Sequence, residues 1–314
     1  MVLAGCWGVE KLRVKGVLVS AGSGFMLRCM SDDHASETRL VTCPGTQFRV
    51  SLPRKLDRDY WAKVDAGRWE PETFRLFQTL LDAGSLGRPT RLVDIGAWIG
   101  PTVLYAAGLG AEVTAFEPDP AALSVLHDNL ALNPALAKRV RVEAVALHGA
   151  GGEADDPGFI TLASEEPGNS MSGLFRDAPE RFRVPAATPE AAGLGPLIAA
   201  ADLVKLDIEG GEFALLPALA DMLETSRPIL HLSLHGKFLP EARFAAGERL
   251  AIQQAALAAL PAYRTGYWAE RGQWQPLTDP MAALTQRLED EATGGPGLNG
   301  SIVLSDHPLP ALTL

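Results

Sequence analysis

Apolar and polar positions along this chain follow two periods, and the switches between them mark out the elements. From Glu70-Pro71-Glu72 onward, Phe74, Phe77, Leu80 and Leu81 share one helical face, and Gly84 supplies a stop. RLVDIGAWIG (91–100) reads as an apolar strand breaking into a glycine-containing turn. Pro101 suits the first helical position, and TVLYAAGLG continues that helix. AEVTAFEPDP (111–120) is a second strand, after which Asp119 and Pro120 give an N-cap and first turn to AALSVLHDNLALN. VRVEAVAL (140–147), ADLVKLDIEG (201–210), PILHLSLH (228–235) and SIVLSD (301–306) are further strands. Helix-bearing segments connect most of them, which predicts an α/β fold with a doubly wound parallel sheet.

The N-terminal stretch breaks this rhythm. VKGVLVS, GFMLRCM, RLVTC and TQFRVSL are short β-rich runs separated by Gly, Ser, Asp and Pro, and they predict hairpins. Residues 1–62 are therefore read as a small β-rich domain appended to a main domain of residues 63–314. It carries no catalytic constellation; packing, homodimer formation or docking of a partner is its expected role. Two connections, 151–173 and 236–248, are long and irregular, and the first holds five acidic residues and no basic one. Such a run is either a solvated surface loop or a lid.

Composition narrows the function classes. The chain has 314 residues, 47% hydrophobic and 21% charged, which suffices for a large buried core. No apolar run reaches the roughly 18 residues of a membrane span, and the first residues lack the pattern of a signal peptide. The three cysteines, Cys6, Cys29 and Cys43, have no zinc-site spacing and read as reduced thiols. Together these predict a cytoplasmic protein. A formal charge of −10 argues against nucleic acid and permits a cationic small molecule.

Strand, glycine turn, helix and then an acid at the next strand's end is a plan for holding a nucleoside. Glu117 stands 21 residues beyond Gly96, the spacing of a carboxylate that bonds ribose hydroxyls. The turn is Gly96-Ala97-Trp98-Ile99-Gly100, with an indole where a dinucleotide site needs its second glycine. A nucleoside without phosphates fits better, and S-adenosylmethionine (SAM) is the usual one.

VDIGAWIG, FEPDP, VEAVAL and VKLDIEGGEFALL, taken together over residues 67–235, resemble the FkbM family of SAM-dependent methyltransferases, whose most distinctive signature is a D-x-E-G-x-E element after the fourth strand. The resemblance implies a class I methyltransferase fold, Rossmann-like, with a seven-stranded sheet whose last strand is antiparallel. It implies that Asp94, Gly96 and Gly100 line the methionine end, that Glu117 binds the ribose, and that Glu143 to Ala146, with Ala144 and Ala146, flank the adenine. Trp98 departs from the small polar residue more usual there and is expected to narrow or cover the pocket.

Methyl transfer needs an acceptor placed in line and stripped of a proton. Asp207 stands where the fourth strand ends, and Glu209 two residues on faces the same pocket if the strand has already broken. Either acid is otherwise a plain turn residue, and Glu212 belongs to the first turn of the next helix. His235, at the carboxyl end of LHLSLHG, suits a general base by its free pKa, whereas His231 is expected inside the sheet. Asp207, Glu209 and His235 are also of types that hold Mg²⁺ or a transition metal, but no H-x-x-H or H-E-x-x-H spacing supports one, so no metal is expected. The acidic character favours an amine of a cationic, aminoglycoside-like amino sugar as acceptor, chemistry that resembles the N-methylation of the gentamicin pathway. A sugar hydroxyl of a macrolide or glycan is the alternative. Outside methyl transfer stand an NAD-dependent oxidoreductase and a non-catalytic docking subunit.

Overall fold

The computed structural model describes residues 37–81, 88–149, 158–240, 243–291, 294–309 and 312. VKGVLVS, GFMLRCM, Cys6, Cys29 and the proposed stop at Gly84 lie outside the described residues. β1 (Thr38–Cys43) and β2 (Thr46–Ser51) pair antiparallel, and α1 (Lys55–Asp65) and α2 (Pro71–Leu81) follow. Next come β3 (Arg91–Ile95), α3 (Pro101–Gly108), β4 (Glu112–Phe116), α4 (Pro120–Ala131), the short α5 (Pro134–Ala137) and β5 (Val140–Glu143). β6 (Ala146–Leu147), β7 (Phe159–Ser164) and β8 (Glu180–Ala187) make a small sheet of their own, ordered β6-β8-β7. The chain continues through α6 (Leu194–Ala200), β9 (Leu203–Leu206), α7 (Glu212–Ser226), β10 (Ile229–His235) and α8 (Ala246–Ala258). It closes with the hairpin β11 (Thr265–Glu270) and β12 (Gln273–Leu277), then α9 (Pro280–Glu291) and β13 (Asn299–Ser305).

The main sheet is ordered β12-β11-β13-β10-β9-β3-β4-β5. From β10 to β5 all neighbours are parallel, and β13 runs antiparallel to both β10 and β11. The sheet thus has eight strands where seven were expected, because β12 folds back on β11 at its edge. Arg271 and Gly272 both have positive φ (53° and 76°), the backbone of a two-residue hairpin whose twist matches the strands. Two further differences follow from local pairing. VRVEAVAL is not one strand, since β5 joins the main sheet and β6 pairs with β8. The connection 151–173 is not irregular throughout, since Phe159–Ser164 pairs with β8.

Helices cover both sheet faces, and each face has its own apolar layer. One layer joins Leu76, Phe77, Val103 and Leu104 to Phe48, Val50 and Trp61 from the N-terminal segments. The other packs Leu215, Leu216, Leu219 and Leu223 of α7 against Leu206, Leu230 and Leu232. A boundary at residue 62 would cut through α1, and the hairpin is stitched to α4: Ser51 N donates to Asn129 Oδ1 at 2.7 Å and Arg49 N to Asn133 Oδ1 at 2.9 Å. The Asp119 N-cap forms as expected, accepting from Ala121 N at 2.8 Å.

Candidate active site

The strand ends β3, β4 and β9 meet at the first glycine turn. Gly96 has φ +93°, and the N–H groups of Gly96 and Ala97 donate to the Phe116 carbonyl at 3.0 and 3.1 Å. A Cβ on Gly96 would stand 1.8 Å from the Asp207 carbonyl oxygen, so only glycine lets these two strand ends close up. Beside them opens a cavity of about 760 Å³, counting the part open to solvent. Phe116, Val145, Ala146, Leu147, Ile160 and Leu162 give it apolar walls, while Glu117, Asn169 and Ser172 give it polar ones.

Glu117 is buried, and its two oxygens accept from Trp98 N and Asp119 N, each at 2.8 Å. Burial pushes its carboxyl up to about 7, more than these two bonds lower it. Each oxygen keeps a lone pair for a further donor. Trp98 holds φ +49°, a left-handed conformation that is costly for so bulky a residue. Its indole lines the cavity, meets Tyr60 edge-on at 4.3 Å between ring centres, and donates from Nε1 to the Gly168 carbonyl at 2.7 Å. Gly168 N in turn donates to Asp119 Oδ2 at 3.0 Å, and Arg54 donates to the Pro167 carbonyl at 2.8 Å. Trp98 therefore lines the pocket and also fastens a strap, residues 165–174, part of which lines it too.

Asp94 takes a different place from the one expected. It is fully buried and absent from the cavity lining; its carboxylate accepts from Thr102 Oγ1 at 2.5 Å and from Lys205 Nζ at 3.3 Å. Burial raises its pKa despite both partners. Gly100 also lies off the cavity, and a Cβ there would sit 2.4 Å from Leu126, which makes it a packing glycine. Ala144 does not line the cavity, whereas Ala146 does.

At the end of β9, Asp207 pairs through Oδ2 with Lys205 Nζ at 3.3 Å, while Oδ1 faces His235 Nε2 at 3.8 Å. Burial acts to raise its pKa, but Lys205 and His235 together hold it below the usual carboxylate range. Glu209, at φ +55°, brings Oε2 to 3.7 Å from the same His235 nitrogen, and burial pushes its carboxyl up to about 7. Glu212 is wholly buried in the first turn of α7. It accepts from Gly210 N at 2.8 Å and His235 N at 2.6 Å, and its Oε1 lies 3.2 Å from His235 Nδ1. Burial works to lower the His235 pKa, yet the bond to Glu212 and the Asp207 and Glu209 charges carry it up to about 9. Phe238 stacks on the imidazole at 5.5 Å, with Arg176 and Lys237 over its ring at 4.4 and 4.9 Å.

The sequence pattern of the FkbM methyltransferase domain matches residues 94–256, just over half of the chain. The chain belongs to the FkbM methyltransferase family. Three solved structures are similar to this FkbM chain. Methyltransferase FkbM from Methylobacillus flagellatus KT is 20% identical, over 70% of this chain and 53% of that one, with a TM-score of 0.37. The bifunctional kinase-methyltransferase WbdD is 14% identical, over 78% and 41%, with a TM-score of 0.41. A SAM-dependent methyltransferase from Agrobacterium tumefaciens is 15% identical, over 69% and 61%, with a TM-score of 0.36. This chain thus spans about two-fifths to three-fifths of their lengths. No curated protein matches the sequence.

The FkbM chain gathers Gly96, Trp98, Glu117, Ala146, Asp207 and Glu209 around the cavity, and His235 stands behind the last two. His231 is buried inside the sheet against Trp274, as expected, and burial drives its pKa down to about 3. Sequence reasoning missed Asn169 and Ser172 on the strap, and it gave Glu212 to the helix alone. The spacing that could have revealed Glu212 is Glu209 to Glu212, one helical turn, opposite a strand ending in histidine. Among the described residues no helix is long and apolar enough to cross a membrane.

Proposed function

We propose that the chain transfers a methyl group from SAM to an amine of a cationic, aminoglycoside-like amino sugar. The observation that carries this reading is a single cavity at the strand ends that is lined by Glu117 together with Asp207 and Glu209. The lining fits the cofactor: apolar walls suit an adenine, and Glu117 has free lone pairs for ribose hydroxyls. When bound, SAM supplies a methyl group on a positively charged sulfur. Asp207, kept ionised by Lys205, favours positive charge at its end of the cavity. It also orients the acceptor nitrogen, while the strap held by Trp98 excludes water. Asp94 and Lys205 act from behind as positioning residues.

A second reading, methylation of a sugar hydroxyl, is favoured by the two cations over Phe238, which stacks on His235, because the surroundings of His235 are not uniformly acidic. The test is calorimetric titration with S-adenosylhomocysteine, with NAD as control, followed by mass spectrometry of amino sugars and neutral glycosides incubated with SAM. Binding of the first ligand alone, and a methyl gained only by amino sugars, supports the first reading. A methyl gained only by neutral glycosides supports the second. Binding of NAD alone returns the oxidoreductase. Cofactor binding with no methylated product from any acceptor supports a non-catalytic docking subunit, with residues 1–62 as the proposed docking element and homodimer formation as the other proposed use of that segment.

A further inference from the structure

We infer that Asp207, Glu209 and His235 form a site for one divalent cation of the Mg²⁺ or Mn²⁺ class. One ligand atom from each of the three lies within 4.8 Å of the other two. These atoms face one another across a gap with no hydrogen bond between them. His235 Nε2 stands 3.8 Å from Asp207 Oδ1 and 3.7 Å from Glu209 Oε2, beyond hydrogen-bond reach of either. Among the described residues none of the three atoms has a hydrogen-bond partner. The side chains are 17%, 15% and 17% exposed, so water does not fully solvate them.

An independent feature sits outside the triad. Metal-binding histidines almost always donate their other ring N–H to a carboxylate or carbonyl, which fixes the tautomer and aims the free nitrogen at the ion. Glu212, wholly buried, lies 3.2 Å from His235 Nδ1 and also holds the His235 backbone N–H, so Nε2 is aimed at the gap between the two carboxylates. Asp207 is divided in a matching way. Its Oδ2 is taken by Lys205, and its Oδ1 is left to face the gap. Two carboxylate oxygens and one imidazole suit a hard or borderline cation, with positions left open for water and an acceptor.

The inference rests on the methyl-transfer reading and adds a partner to it. An amino sugar carries hydroxyls beside its amines. A cation here meets such a hydroxyl and, by its charge, disfavours the neighbouring ammonium form. The ammonium would first give a proton to water; its freed lone pair would then form the new nitrogen–carbon bond as the carbon–sulfur bond of SAM breaks, leaving neutral S-adenosylhomocysteine and an N-methylammonium that carries the charge the sulfur lost.

The test uses the full chain, treated with chelator and titrated with Mn²⁺ under electron paramagnetic resonance, with calorimetry of S-adenosylhomocysteine run in parallel. One saturable Mn²⁺ per chain is expected, with a nitrogen coupling from the imidazole. His235→Gln should abolish that coupling, and Glu209→Gln should weaken Mn²⁺ at least tenfold. Glu212→Gln should weaken it by about 10–100-fold. Far-ultraviolet circular dichroism spectra of all three should match that of the unmodified chain, which shows that they fold. Absence of saturable Mn²⁺ binding, or equal binding by His235→Gln, overturns the inference. Loss of S-adenosylhomocysteine binding by the unmodified chain overturns the methyl-transfer reading instead, whatever Mn²⁺ does.

Discussion

Glu212→Gln isolates the most connected side chain of the site. The glutamate accepts two buried backbone N–H groups on opposite oxygens, Gly210 on Oε2 and His235 on Oε1. An amide of the same shape keeps one acceptor oxygen and turns an NH₂ toward the other N–H. At least one buried donor then loses its partner, which costs about 1–3 kcal/mol. At roughly 2–4 °C per kcal/mol for a domain of this order of size, the melting temperature should fall by about 2–12 °C. Differential scanning calorimetry reads this directly. Glu248→Gln is the control, since Glu248 caps Ala245 N at an exposed helix start where water replaces the lost acceptor; it should shift the midpoint by about 1 °C or less. Glu212→Gln melting with the control would refute the placement of that carboxylate between α7 and β10.

Three other outcomes are expected. Glu117 is held up to about 7 by burial against an ordinary 4.5, so the folded chain binds its proton more tightly than the unfolded one, and its contribution to stability falls as pH rises through that interval. Cofactor binding runs the other way: S-adenosylhomocysteine affinity should rise with pH through about 7, and Glu117→Gln should remove that dependence and weaken binding by about 10–100-fold, both read by calorimetry. Trp98→Phe keeps an aromatic wall but loses the bond to the Gly168 carbonyl, so amide hydrogen exchange in residues 165–174 should quicken by up to about tenfold while β3 and β4 are unchanged. Asp207→Asn should leave S-adenosylhomocysteine affinity near that of the parent and cut turnover by about 10²-fold or more in a methyl-transfer assay; an unchanged rate removes Asp207 from the mechanism.

Local pattern was enough for much of the framework. A strand followed by glycine and proline has few options, so RLVDIGAWIGP had to become strand, turn and helix, and Asp119-Pro120 had to start one. The same economy marked Gly96, Glu117 and Asp207, because each sits at a strand end and parallel strands put their ends on one edge. What lay beyond reach was everything fixed by partners distant in sequence. Asp94 and Lys205 sit side by side only because β3 and β9 are neighbours in register, 111 residues apart along the chain. The strap at 165–174 reaches the cavity through Trp98, Asp119 and Arg54, none of them near it in sequence. Glu212 read as a helix residue, which it is, and the histidine that gives it a second task arrives from another strand. Sequence by itself determined where strands end and which residue types stand there, since those follow from neighbours a few residues away. Only the tertiary structure decided which ends meet, because hydrogen-bonded register and burial bring those charges together and set their protonation.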